Sequence, residues 1–125
     1  MKTIIFLCGL YSVAFATFHG FFWKLFNWEK ELVKLNFANK AIVQILNCRL
    51  IYFFLFVAFI CFVYPDELLT SKLGNAFLTG ISLFWLGRTI EQFIFLKIKN
   101  KFVHILTVIF IVGTILFALP LILSK

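Results

Sequence analysis

Acidic residues are scarce in this 125-residue chain: five Asp and Glu stand against twelve Lys and Arg. The acids form no cluster, and P-loop, HExxH and GxSxG patterns are missing, so nothing in the order of residues supports a nucleotide hydrolase, a zinc peptidase or a nucleophile-elbow enzyme. Ser12, Ser71, Ser82 and Ser124 have no His–Asp pattern nearby. Cys8, Cys48 and Cys61 form no CxxC or Cys/His spacing, which leaves zinc and thioredoxin-like redox readings without support. All three lie in apolar runs, where a free cysteine acts as a small hydrophobe. The two histidines, His19 and His104, fall in different runs and do not make a metal site. No polar stretch is long enough to fold by itself. The formal charge of +7 is not a nucleic-acid signature, because the basic residues flank the apolar runs, where they set membrane topology.

Apolar residues are what the chain does have. They make up 63% of it, and the mean hydropathy is +1.06. A soluble domain is about 45–50% apolar, so water is the wrong solvent for this chain. The nineteen phenylalanines fit an AT-rich coding bias, which favours Phe, Ile, Lys and Asn together. About 20 apolar residues cross a bilayer as a helix, and only helices or closed barrels satisfy their backbone in lipid. The runs are continuous rather than alternating, which selects helices. Four spans are expected, at about 3–23, 41–64, 73–98 and 102–123, in one all-α membrane domain covering the whole chain.

The first run opens with Lys2 and contains Ala14-Phe15-Ala16, a signal-peptide pattern. The apolar run continues through Phe18, Phe21, Phe22 and Trp23, so an uncleaved span is expected. Residues 24–40 are the longest polar segment. Leu25, Trp28, Leu32 and Leu35 recur there every three or four residues between Lys24, Glu31 and Lys34, which predicts a short amphipathic helix at about 27–37 with Asn27 as N-cap. Its place is the membrane interface. Pro65 closes the second span, an eight-residue link leads to the third, and Lys99-Asn100-Lys101 is a tight link to the fourth. Pro120 is expected to distort only the last turn of that span.

Orientation follows from lysines. Lys24, Lys30, Lys34 and Lys40 lie between the first two spans, and Lys97, Lys99 and Lys101 between the last two; only Lys2, Lys72 and Lys125 lie opposite. That asymmetry puts both basic links in the cytoplasm and both termini outside.

At about 1.5 Å per residue, Arg49 in the second span and Arg88 with Glu91 in the third fall at similar depth in the cytoplasmic half. His19, Gln44, Asn47 and Gln92 are expected in the same layer. Arg88, Glu91 and Gln92 stand at i, i+3 and i+4, one face of a helix, and Trp85 continues it. His19 shares a face with Gly9, Ser12, Ala16 and Gly20, the small residues on which membrane helices pack closely, so it is expected to point into the bundle. Gln44 and Asn47 share a face, while Arg49 is turned about 200° from Asn47.

A charge at the bilayer centre costs from about 2.5 to more than 10 kcal/mol. Such a group pairs, lines a cavity or snorkels. Glu91 is expected to pair with Arg88; Arg49 either pairs with Glu91 or reaches the phosphate layer along its stem. Two readings stand side by side. In one the layer is glue, holding helix register. In the other it floors an aromatic-walled, cytoplasm-facing pocket for an anionic headgroup, a carboxylate or a quinone-like carbonyl, with proton relay through His19 and Glu91 as a narrower version.

The stretch Phe18-His19-Gly20-Phe21-Phe22-Trp23-Lys24-Leu25-Phe26-Asn27-Trp28, with Asn39 and Gln44-Ile45-Leu46-Asn47 after it, resembles a group of short bacterial membrane proteins. The span count and link lengths are similar to the DoxX-like set of small four-helix membrane proteins. That resemblance implies a four-helix bundle in a bacterial inner membrane and, for some members, association with respiratory or thiol redox systems. Small multidrug transporters match in length and span count, but their key glutamate lies in the first helix, whereas Glu91 lies in the third. The expected function is therefore non-catalytic: binding of a lipid-like or quinone-like ligand at Arg88 and Glu91, with Gln92, His19, Asn47, Arg49, Gln44 and Trp85 around them, or service as a subunit of a larger membrane complex. A small dimeric transporter coupled through Glu91 and a redox-associated enzyme subunit are the alternatives. The bilayer itself is the first partner, a second copy or a membrane complex a further one. No particular cofactor is indicated.

Overall fold

The computed structural model describes residues 1–96 and 100–123. Lys97, Lys99 and Lys125 of the lysine asymmetry, and the expected end of the third span at residue 98, lie outside the described residues. Every regular element among the described residues is helical: α1 (Lys2–Gly20), α2 (Phe22–Leu25), α3 (Trp28–Glu31), a 3₁₀ turn (Leu32–Lys34), α4 (Phe37–Val63), α5 (Pro65–Thr70), α6 (Lys72–Phe95) and α7 (Lys101–Leu123). Three of them, α1, α4 and α7, are long and apolar enough to cross a membrane. At 24 residues α6 has the length, but Arg88, Glu91 and Gln92 dilute its apolar character and it is not among them.

The segment between α1 and α4 departs from the expected single amphipathic helix at 27–37. Asn27 is the reason. It stands before α3 but in the left-handed region, at φ 53° and ψ 47°, and makes no side-chain capping bond. Asparagine is one of the few residues with a side chain that accept this conformation, and it divides α2 from α3. A second break falls at Leu35, whose backbone is extended. Of the apolar positions, Leu32 is buried, while Leu25 and Leu35 are exposed. The capping asparagine is Asn36, whose Oδ1 accepts the Asn39 N–H at 2.9 Å. This is the usual way to satisfy a free donor at a helix start, and it begins α4 at Phe37 rather than at 41.

Pro65 ends α4 as expected, and it also starts something. It is the first residue of α5, where its missing N–H costs nothing, and Asp66 and Glu67 follow at the positive end of that helix. The Ser71 hydroxyl donates to Glu67 O at 2.6 Å and accepts the Gly74 N–H at 2.8 Å, so one side chain closes α5 and caps α6. Gly74 is required at this corner: a Cβ there would land on the backbone of Glu67 and Leu68.

The molecule divides into two compact units, Gly9–Ile60 and a hairpin unit made of Met1–Cys8 with Cys61 onwards. In the Gly9–Ile60 unit the α1 and α4 segments run antiparallel, with Phe15 against Phe54 and His19 against Asn47. In the hairpin unit α6 and α7 run antiparallel. The buried positions of α6, Gly74, Leu78, Ile81, Ser82, Trp85, Thr89 and Gln92, form one stripe at three- and four-residue intervals. On α7 the buried positions are Phe110, Gly113, Phe117 and Pro120. Ser82 Oγ donates to Thr114 O at 2.8 Å and Gln92 Nε2 donates to Val103 O at 3.2 Å, which fixes the register of the hairpin at two levels.

Pro120 lies inside α7, which continues to Leu123. A proline removes the donor that would reach the carbonyl four residues back, here Leu116. The Cys8 thiol donates to that oxygen at 3.6 Å. A neighbouring side chain thus occupies the carbonyl that the proline exposes, as proline in membrane helices requires. Cys8 and Cys61 are buried as small hydrophobes are, whereas Cys48 is exposed.

Candidate functional site

The polar residues singled out from the sequence fall into two groups with different bonding. The first belongs to the Gly9–Ile60 unit. Asn47, only 4% exposed, faces the end of α1. Its Nδ2 donates to the carbonyl oxygen of His19 at 2.9 Å, and its Oδ1 lies 2.8 Å from His19 Nδ1. The oxygen can only accept, so Nδ1 carries the proton. The last carbonyls of a helix have no partner within it, and Asn47 supplies one for α1. The imidazole packs at a tilt against Phe22 at 4.1 Å and against Phe54 at 5.2 Å between ring centres. One turn earlier on the same face of α4, Gln44 Oε1 accepts the Trp23 indole N–H at 2.9 Å, and Gln44 Nε2 donates to Lys40 O at 3.1 Å. Trp28 packs edge-on against Trp23 at 5.2 Å. Both these amides of α4 thus have their oxygen and nitrogen ends on protein partners, Asn47 holding the end of α1 and Gln44 the turn after it. Arg49 is turned away from them: it is exposed, with its guanidinium carbon 5.7 Å from the Tyr52 ring centre.

The second group lies on the α6–α7 hairpin. Trp85, 2% exposed, stacks on Phe110 at 5.7 Å with planes 23° apart. Arg88, one turn further along α6 and half-buried, places its guanidinium carbon 4.6 Å from the centre of the same ring. A cation over an aromatic face is attracted by the ring quadrupole, yet the five N–H donors of arginine still call for acceptors. The expected Arg88–Glu91 pair is not formed: among the described residues the ion pairs are Lys2–Asp66 and Lys34–Glu31. Helix geometry gives the reason. Gln92 lies about 40° to one side of Arg88 and Glu91 about 60° to the other, so the three span a wide arc rather than one line. Gln92 is 2% exposed, whereas Glu91 is exposed.

Gln92 is half satisfied. Its Nε2 reaches Val103 O, and its Oε1 is buried with no hydrogen-bond partner among the described residues. Val103 O also accepts from the Thr107 hydroxyl at 2.9 Å. A carbonyl so occupied explains the orientation of the amide, because only the nitrogen of Gln92 can face it. The oxygen then points elsewhere, and a buried acceptor left open costs about 1–3 kcal/mol. Thr89, buried beside it, uses its hydroxyl on Trp85 O at 2.8 Å.

Several participants were not read from the sequence. Phe110, Val103 and Thr107 lie in a uniformly apolar run with nothing local to mark them. The Asn36 cap and the Cys8–Leu116 contact had readable signals, namely Asn before the long run and Pro120 four residues after Leu116. No family model, curated protein or solved structure matches the chain.

Proposed function

We propose that this chain is a small, non-catalytic integral membrane protein that binds an amphiphilic ligand at Arg88. In this reading α6 crosses the bilayer with α1, α4 and α7, making four spans in a bacterial inner membrane with both termini outside. Arg88 then lies seven residues from the end of α6, about 10 Å along its axis. An ionised side chain at that depth is costly unless it is partnered or reaches a polar layer. The observation that carries the reading is the bonding of Arg88. Its guanidinium is half-buried over Phe110, and no carboxylate or carbonyl among the described residues accepts from it. An arginine that served only as glue would spend its donors inside the protein, as Asn47 and Gln44 do. A ligand with an oxygen-bearing head and an apolar tail would fill those donors and keep its tail in the surrounding lipid. Glu91, exposed on the neighbouring arc, would face lipid or a further subunit.

The test is mass spectrometry of the small molecules and lipids that stay with the purified protein, wild type beside Arg88→Ala. A defined molecule held by the wild type and lost from the variant is expected. Indistinguishable profiles would return the polar layer to a structural role and turn the search to protein partners.

A further inference from the structure

Two opposite charges stand exposed on long helices, Arg49 on α4 and Glu91 on α6. Neither is in an ion pair among the described residues, where the pairs are Lys2–Asp66 and Lys34–Glu31. The Tyr52 ring, 5.7 Å from the Arg49 guanidinium carbon, offers no lone pair to its N–H groups. On the four-span reading above, and independently of any ligand at Arg88, both charges lie within the bilayer, where each is costly alone. Arg49 is fourteen residues before Val63, the outer end of α4, and Glu91 nineteen residues after Lys72, the outer start of α6. At about 1.5 Å per residue their backbones differ in depth by about 7 Å. Side chains lean toward the N-terminus of their helix, and consecutive spans cross in opposite directions. Arg49 therefore leans toward the cytoplasm and Glu91 away from it, so the two charges converge on one level.

The surfaces around them are complementary in shape as well as charge. Gly80 and Gly87 stand within about 40° of Glu91 round α6, and a Cβ at either would meet nothing within 4 Å. Glycine is a poor helix former, and in a span it lets another helix come close. Around Arg49 the face of α4 is a ridge instead: Ile45, Tyr52 and Phe56 are exposed there, with Tyr52 stacked on Phe56 at 6.2 Å. A ridge of large side chains packs into a bare face. We propose that the Gly80–Gly87–Glu91 face of α6 receives α4 of a second copy of the chain, with Arg49 of one copy paired to Glu91 of the other. A second copy brings the missing charge for both residues, and copies inserted in the same orientation keep the match in depth. A closed pair or a ring satisfies every such charge.

The experiment counts chains per particle in phosphatidylcholine vesicles, by photobleaching of a fluorophore at the N-terminus, as protein is diluted in lipid. Wild type is expected to persist as two or more chains; a monomer at every dilution overturns the proposal and needs no variant to fold. Arg49→Gln and Glu91→Gln should each weaken association about tenfold. Mixing those two variants, each with its own dye, should give mixed particles above the statistical share, because one chain still offers Glu91 and the other Arg49. A purely statistical share overturns the pairing, since charges paired inside one chain gain nothing from mixing. Gly80→Leu should dissociate the particles without lowering the thermal midpoint of the monomer, which has room for the side chain; undiminished association in that variant overturns the face. Placement of α6 is read separately, from Leu86→Cys in a Cys48→Ala chain treated with a water-soluble maleimide on intact vesicles. Labelling there overturns the four-span reading and the pairing with it, whereas protection beside a monomeric wild type overturns the pairing alone.

Discussion

The two polar clusters use the same kinds of side chain in opposite ways. In the Gly9–Ile60 unit, Asn47 and Gln44 place both ends of each amide on protein partners: His19, Trp23 and the Lys40 carbonyl. In the hairpin unit, Gln92 places one end and leaves the other buried and open among the described residues, where Arg88 likewise has a ring beneath it but no acceptor. A network with both ends of each amide on protein partners lowers the energy of one arrangement of helices. An open one costs stability in the free protein and is repaid only when something else arrives. Polar residues in apolar helices are therefore informative less by their presence than by how many of their hydrogen bonds the fold completes.

Substitutions should separate the two regions by sign as well as size. Asn47→Leu removes two hydrogen bonds and leaves the His19 carbonyl at the end of α1 without its side-chain donor. It should destabilise the protein by about 2 kcal/mol, seen as a lower thermal midpoint in detergent, with lipid binding unchanged. Gln44→Leu takes the acceptor from the Trp23 indole and should cost about 1 kcal/mol, with a shift in tryptophan emission reporting the loss. Within the hairpin unit, Cys8→Val leaves Leu116 O without its donor below Pro120. The cost should be just under about 1 kcal/mol because thiols donate weakly, and Cys8→Ser should restore it. Gln92→Leu should behave unlike any of these. It forfeits one bond to Val103 O but removes an unsatisfied buried acceptor, so stability should stay within about 0.5 kcal/mol of wild type or rise. A drop as large as that of Asn47→Leu would show that Gln92 is glue too. Asp66→Asn should have the smallest effect, under about 0.5 kcal/mol and absent in high salt, because its pair with Lys2 is exposed on both sides.

The apolar runs gave α1, α4, α6 and α7 close to where they are found, since periodicity and length act locally. Pro65 marked the end of α4 for the same reason. The interfacial segment was harder. Its heptad-like spacing suggested one helix, and a single left-handed Asn27 breaks it, a choice the spacing of leucines does not record. Within the candidate site, His19 with Asn47 was half legible: small residues around His19 and the Gln44–Asn47 face pointed inward, but the reciprocal bonds belong to a pair 28 residues apart. The Arg88–Glu91 pairing rested on a three-residue spacing that brings two residues near each other without aiming them. Phe110, a ring across the hairpin, won Arg88 instead.

By itself the sequence determined the solvent and the secondary structure of this protein, because hydropathy and helix periodicity are properties of neighbouring residues. It also determined which side chains would be costly in an apolar setting. Only tertiary structure decided which of those costs are met. Hydrogen bonds between helices depend on register and rotation, so Asn47 finds His19 while Gln92 Oε1 finds no partner among the described residues. An arginine on the same helix that forms no ion pair among the described residues is the feature from which the functional reading comes.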